Sequence, residues 1–196
     1  VGSTIALRAE AYAAVRGMPQ RMAGEDFHLL MKLRKVGLIA SLEGAPIELQ
    51  GRVSGRVPFG TGAAVTALLD SGSALAVHDP AVFVHLRAWL LALADVVDDP
   101  GLDMSEALAR RCQNDLALRA DVLGEALASV GRLDRLQRAL KQAHSAEHRR
   151  HQAMVSFDGL RTLRLIHTLR DLAWPDVELT QALDAAPFSV PSAVRL

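Results

Sequence analysis

The sequence predicts a mainly α-helical protein, with a short mixed α/β portion followed by a helical bundle. Three observations carry that expectation. Residues 1–60 alternate short β-type runs with glycine-bearing turns. From Thr61 onward, apolar residues recur at the spacing of one-sided helices, which need partners and therefore pack together. Half of the 196 residues are apolar. That excludes wholesale disorder, where too little apolar surface is buried to offset the entropy of ordering.

The elements follow in chain order. Ser3 to Leu7 reads as a short strand. Arg8 to Val15 reads as a helix stopped by Gly17, with Pro19 just beyond. In Gly24 to Val36 the apolar residues Phe27, Leu30, Met31 and Val36 keep near a 3.6-residue period, with Leu33 off that face, and Gly37 ends the helix. Leu38 to Leu42 and Pro46 to Leu49 are strand candidates. Gly51 to Gly62 reads as a loop. Val82, Leu86, Trp89, Leu90, Leu93, Val96 and Val97 then form one stripe, broken at Asp98-Asp99-Pro100-Gly101. Leu108, Cys112 and Leu116 mark a second helix of the bundle. Leu123, Leu127 and Val130 mark a third, closed by Gly131. A long fourth helix starts at Leu133 and turns polar after His144. Leu160, Leu163, Ile166 and Leu169 give a fifth, and Val177 to Leu183 a sixth. The expected divisions are 1–62, 63–186 and a tail over 187–196.

Lys plus Arg and Asp plus Glu number 22 each, and the isoelectric point is about 7.2. A globally basic nucleic-acid binder is therefore not expected. Charge is nevertheless segregated: residues 61–130 carry ten acidic and four basic side chains, residues 131–170 three and nine. These stretches can face each other in one bundle or serve association between copies. The basic stretch lacks interleaved aromatics for stacking on bases. The single cysteine, Cys112, excludes an intrachain disulfide and reads as a small apolar residue. The most apolar run, Ala81 to Val97, contains His85, Arg87 and Asp95, so no membrane span is expected. His144, His148 and His151 share a predicted helix face. Arg149 and Arg150 among them would repel a cation, and the face is read as solvated. His78, His85 and His167 read as structural histidines, Trp89 and Trp174 as core.

Gly2-Ser3-Thr4-Ile5-Ala6-Leu7-Arg8, Val15-Arg16-Gly17-Met18-Pro19, Gly24-Glu25-Asp26-Phe27-His28 and Leu33-Arg34-Lys35-Val36-Gly37 stand in a definite order. Together they resemble the acceptor-side half of the catalytic domain of family 2 glycosyltransferases, inverting enzymes of the GT-A type that use nucleotide sugars. The resemblance covers residues 1–62. Arg16 stands where the family's turn has its first glycine, and Met18 where it has an aromatic. The resemblance implies Asp26 as the general base that takes the acceptor hydroxyl's proton, with Glu25 orienting it or binding acceptor. An acidic pair opening a helix suits this chemistry, because backbone N–H groups there fix and stabilise a carboxylate. The same pair after Gly24 also serves simple helix capping.

Arg52 and Arg56 flank a glycine-bearing loop, and guanidinium groups match phosphate oxygens; they are assigned to substrate binding with Ser3 and His28. The chain has Gln50-Gly51-Arg52 where processive members carry Gln-x-x-Arg-Trp, so polymer synthesis is not expected. The family's Asp-x-Asp motif, which holds Mg²⁺ or Mn²⁺ against the diphosphate, is not found here. Asp176-Val177-Glu178 is only a look-alike, and no metal ligand is assigned to this chain. The nucleotide-binding half is expected upstream of Val1, and without it this chain should not turn over. Expected partners are a nucleoside-diphosphate sugar, an acceptor of unspecified class, that upstream half and a second copy in a homodimer. The expected location is cytoplasmic or peripheral at the inner membrane face. The alternative function is a non-catalytic α-helical interaction or dimerisation domain.

Overall fold

A computed structural model describes residues 5–21, 24–40, 65–66, 69–70, 75–113, 115 and 117–188. The protein is mainly helical and divides into two units, Val1–Ala74 and Leu75–Leu196. The expected boundary at 62/63, the strand candidate 46–49, the loop 51–62 and residues 189–196 of the tail lie outside the described residues.

In the first unit, α1 spans Ala9–Ala14 and α2 spans Glu25–Val36. Val15, Leu29 and Leu33 are buried together, with Ala11 packed on them, while Val36 is exposed; this corrects the expected face of α2, which put Val36 on it and Leu33 off it. Helix α1 ends in a Schellman turn: the Arg16 N–H donates to Ala13 O and the Gly17 N–H to Tyr12 O, both at 2.9 Å. This turn needs left-handed backbone, and φ is 58° at Arg16 and 74° at Gly17. A Cβ on Gly17 would also meet Tyr12 Oη at 3.2 Å. Arg16, by contrast, has a side chain where glycine is the usual occupant. Arg16→Gly is expected to stabilise this unit by about 1 kcal/mol, read as a rise in its denaturation midpoint. An unchanged or lower midpoint would contradict the turn geometry. Ile5 to Leu7 and Leu38 to Ala40 are not in strands, which corrects the strand expectations over those residues. Leu38 is 93% exposed. Apolar runs this short carry no pairing information of their own.

The second unit is built around α3, Pro80–Asp98. The Asp79 carboxylate caps it by accepting the Ala81 N–H at 2.8 Å, and Pro80 occupies the first turn, where its missing N–H costs nothing. Then come α4 (Met104–Gln113), α5 (Ala120–Val130), α6 (Leu133–Gln142), α7 (Ala146–Ser156), α8 (Gly159–Leu172) and α9 (Leu179–Ala185). Helix α3 packs on α4, α7 and α8; α5 packs on α8, and α6 on α7. A two-residue ribbon completes the unit, with β1 (Ala76–Val77) antiparallel to β2 (Val177–Glu178) and Val77 opposite Val177. Among the core residues, Trp89 is fully buried, edge-to-face with Phe157 at 5.2 Å between ring centres.

Several expectations for this unit change. The long fourth helix is two helices, α6 and α7, because the Ser145 hydroxyl caps a new start by accepting the His148 N–H. Helix α4 stops at Gln113, and Leu116, expected in it, lies outside the described residues. Val177 and Glu178 pair as a strand before the last helix begins. Leu90 faces out of the expected stripe at 44% exposure, and Leu163 is exposed while Leu165 and Leu169 are buried.

Part of the charge segregation is used inside the unit. The Arg149 guanidinium donates to Val97 O at 2.6 Å, capping the last turn of α3, and Arg150 lies 3.7 Å from Asp98. Arg111 grips Asp95 through two hydrogen bonds, 2.8 and 2.5 Å. Helix α3 is the described helix long and apolar enough to cross a membrane, and half of that stretch is buried inside the protein.

Candidate functional site

Glu25 and Asp26 open α2, and Arg34 and Lys35 close it, so the charges oppose the helix dipole at both ends. Gly24 precedes the helix with φ 71° and ψ 21°, a left-handed conformation that glycine adopts without strain. This sharp entry turns the chain directly into the acidic pair. The Asp26 carboxylate accepts the Phe27 N–H at 2.8 Å. One carboxylate oxygen is thereby held against the helix end. The Asp26 side chain is neither packed in the core nor fully exposed, and the same holds for Glu25 and His28. His28 sits edge-on to Phe27, 5.6 Å between ring centres. Lys32, one turn further along α2, donates to Gly17 O at 3.3 Å and ties the helix to the Schellman turn.

Asp26, Glu25 and His28 therefore share the first turn of one helix, an arrangement that can accept a proton and hydrogen-bond a hydroxyl. Ser3, Arg52 and Arg56 lie outside the described residues. Among the described residues no group of three or more His, Cys, Asp or Glu side chains could hold a metal ion. Asp176, from the look-alike triplet, instead accepts from or pairs with His78 Nδ1 at 2.7 Å, next in register after the ribbon. His144 lies in the turn before α7 rather than on a face with His148, 6.4 Å away between ring centres. Lys141, His144, His148 and Gln152 line a shallow depression of about 740 Å³. It belongs to the second unit and contains none of the acidic pair.

His85 is a buried polar residue on the core side of α3. It is 1% exposed. Its Nδ1–H donates to Ala81 O at 2.7 Å, and its Nε2 accepts the Arg119 N–H at 2.9 Å, which fixes the neutral tautomer. Trp174 stacks on it at 4.0 Å. Both histidine and tryptophan are thus structural, and His85 pins the chain just before α5 to α3. Burial lowers its pKa below the usual histidine value. The unfolded chain therefore takes up this proton at a higher pH than the folded one. Stability from His85 is complete above about pH 6.5 and declines as pH falls, by up to about 1.4 kcal/mol per pH unit, until the folded imidazole itself protonates. Denaturant unfolding between pH 8 and 5 should show this slope in the native protein and lose it in His85→Gln. Equal slopes in the two proteins would contradict the assignment. Burial likewise raises the pKa of the Cys112 thiol, as suits an unreactive residue packed on the core.

In comparisons with known proteins, no family model, no curated protein and no solved structure matches this chain.

Proposed function

We propose that residues 1–62 are the acceptor side of an inverting, nucleotide-sugar-dependent glycosyltransferase, with Asp26 as general base. The observation that carries this reading is the placement of Asp26: part-exposed, on the first turn of a helix entered through a left-handed glycine, with one oxygen already held by a backbone N–H. A base must keep its lone pairs toward the arriving hydroxyl while its position is fixed by something else. Left-handed backbone at both Arg16 and Gly17 supports the reading too, because the resembled turn has glycine at both positions.

In the reaction, the acceptor oxygen attacks the anomeric carbon from the face opposite the nucleoside diphosphate. The C–O bond to the diphosphate breaks, and the acceptor proton passes to the Asp26 carboxylate. Glu25 orients that carboxylate or holds the acceptor, and His28 contacts the acceptor sugar. Arg52 and Arg56 balance charge on the leaving diphosphate. The nucleotide pocket and its Mg²⁺ or Mn²⁺ belong, on this reading, to an upstream half of the protein. The test is nucleoside-diphosphate release by the protein with that half attached, wild type against Asp26→Asn; equal release would remove the proposal.

A second reading, a helical interaction domain without chemistry, draws on the outward apolar side of α3, where Phe83, Leu90 and Leu91 are all exposed.

A further inference from the structure

Helix α3 presents two different faces. One carries the core residues Val82, Trp89 and Val96. The other carries Phe83, Arg87, Leu90, Leu91, Ala94 and Asp98, all exposed. At 100° per residue these six fall within one stripe about 100° wide. Solvent-facing stripes of surface helices are normally polar, yet four of these six are apolar. Its two charges have opposite sign and lie eleven positions apart, about 16 Å along the axis.

We propose that this stripe is the contact face of a homodimer, in which α3 packs antiparallel on α3 of a second copy. The order of charges is what selects a second copy as the occupant. A two-fold axis passing between residues 92 and 93 brings Arg87 opposite Asp98 of the second copy, and Asp98 opposite its Arg87. The same axis sets Leu91 against Ala94, large against small, twice. One sequence thus meets itself with charges and shapes matched, as an isologous contact requires. Asp98 is available for this: its contact with Arg150 is long, 3.7 Å, and both side chains are largely exposed. A single helix pair buries less than the roughly 1,200 Å² of a standard interface, so the dimer is weak, with a dissociation constant in the micromolar range. The inference is independent of any role for Asp26.

Sedimentation equilibrium of the full chain from about 1 to 500 µM tests it. The expected result is a shift from 21.1 kDa toward twice that mass. Leu91→Arg should leave a monomer throughout. Arg87→Asp and Asp98→Arg should each weaken association about tenfold, and the two together should restore it to near the wild-type value. All three positions are exposed, so circular dichroism should show unchanged helix content. A monomer at every concentration overturns the proposal, as does a dimer indifferent to Leu91→Arg or not rescued by the double reversal. A wild-type monomer that co-sediments with phosphatidylcholine vesicles assigns the stripe to a lipid surface and equally overturns it.

Discussion

Trp89→Ala should cost about 3–5 kcal/mol of stability, the largest effect of any single truncation in the second unit. Trp89 is fully buried at the centre of α3 and meets Phe157, at the C-terminal end of α7, edge-to-face. Truncation removes the transfer energy of the indole and leaves a void between helices that cannot collapse without shifting α7 or α8. A domain at the low end of the usual margin, about 5 kcal/mol, would be left barely folded. Its melting temperature should fall by roughly 10–20 °C. Trp89→Phe separates the causes. It gives up one ring, but it also removes an indole N–H that has no hydrogen-bond partner among the described residues. The cost should therefore be smaller, about 1–2 kcal/mol. A loss below about 1 kcal/mol for Trp89→Ala would contradict the packing of α3 against α7 and α8.

Asp26→Asn should lower kcat about 10²- to 10⁴-fold in the sugar-transferring protein, with KM for the donor little changed. The asparagine amide oxygen can still accept the Phe27 N–H. Only the negative charge at the helix N-terminus is lost, worth about 0.3–1 kcal/mol. Helix content and unfolding midpoint should hence stay near wild type while turnover collapses. If capping were the only role of Asp26, the same small loss of stability would appear with kcat unchanged.

Much of this architecture is legible along the chain, and its failures have physical causes. The bounds of helix α2 are readable because their signals are local, Gly24 at the entry, two acids in the first turn and Gly37 at the exit, whereas its buried side, Leu29 and Leu33, is not. The buried side of α3 is only partly readable. Leucine occurs on both of its faces, buried at Leu93 and exposed at Leu90 and Leu91, so Leu90 joins the apolar stripe on paper although the neighbouring helices cover the other side. The break between α6 and α7 had a signal in Ser145-Ala146-Glu147, a capping serine before an acidic first turn, but a continuing polar helix masked it. The ribbon of Ala76–Val77 with Val177–Glu178 joins segments about a hundred residues apart, and no local pattern announces such a pairing. His85 is recognisable as structural from the stripe, whereas its partners Ala81, Arg119 and Trp174 come from three different segments. At the acidic pair, sequence supplies the residue types and the structure adds the held carboxylate oxygen and the left-handed entry.

The most direct measurement is the stereochemistry of transfer. Product formed by the protein with its nucleotide-binding half, from an α-linked nucleotide sugar, is examined by ¹H NMR for its anomeric configuration, alongside the same mixture with Asp26→Asn. The account predicts a β-linked product from the wild type and at least a hundredfold less of it from the variant. An α-linked product, or a β-linked product formed equally fast by both proteins, would contradict it.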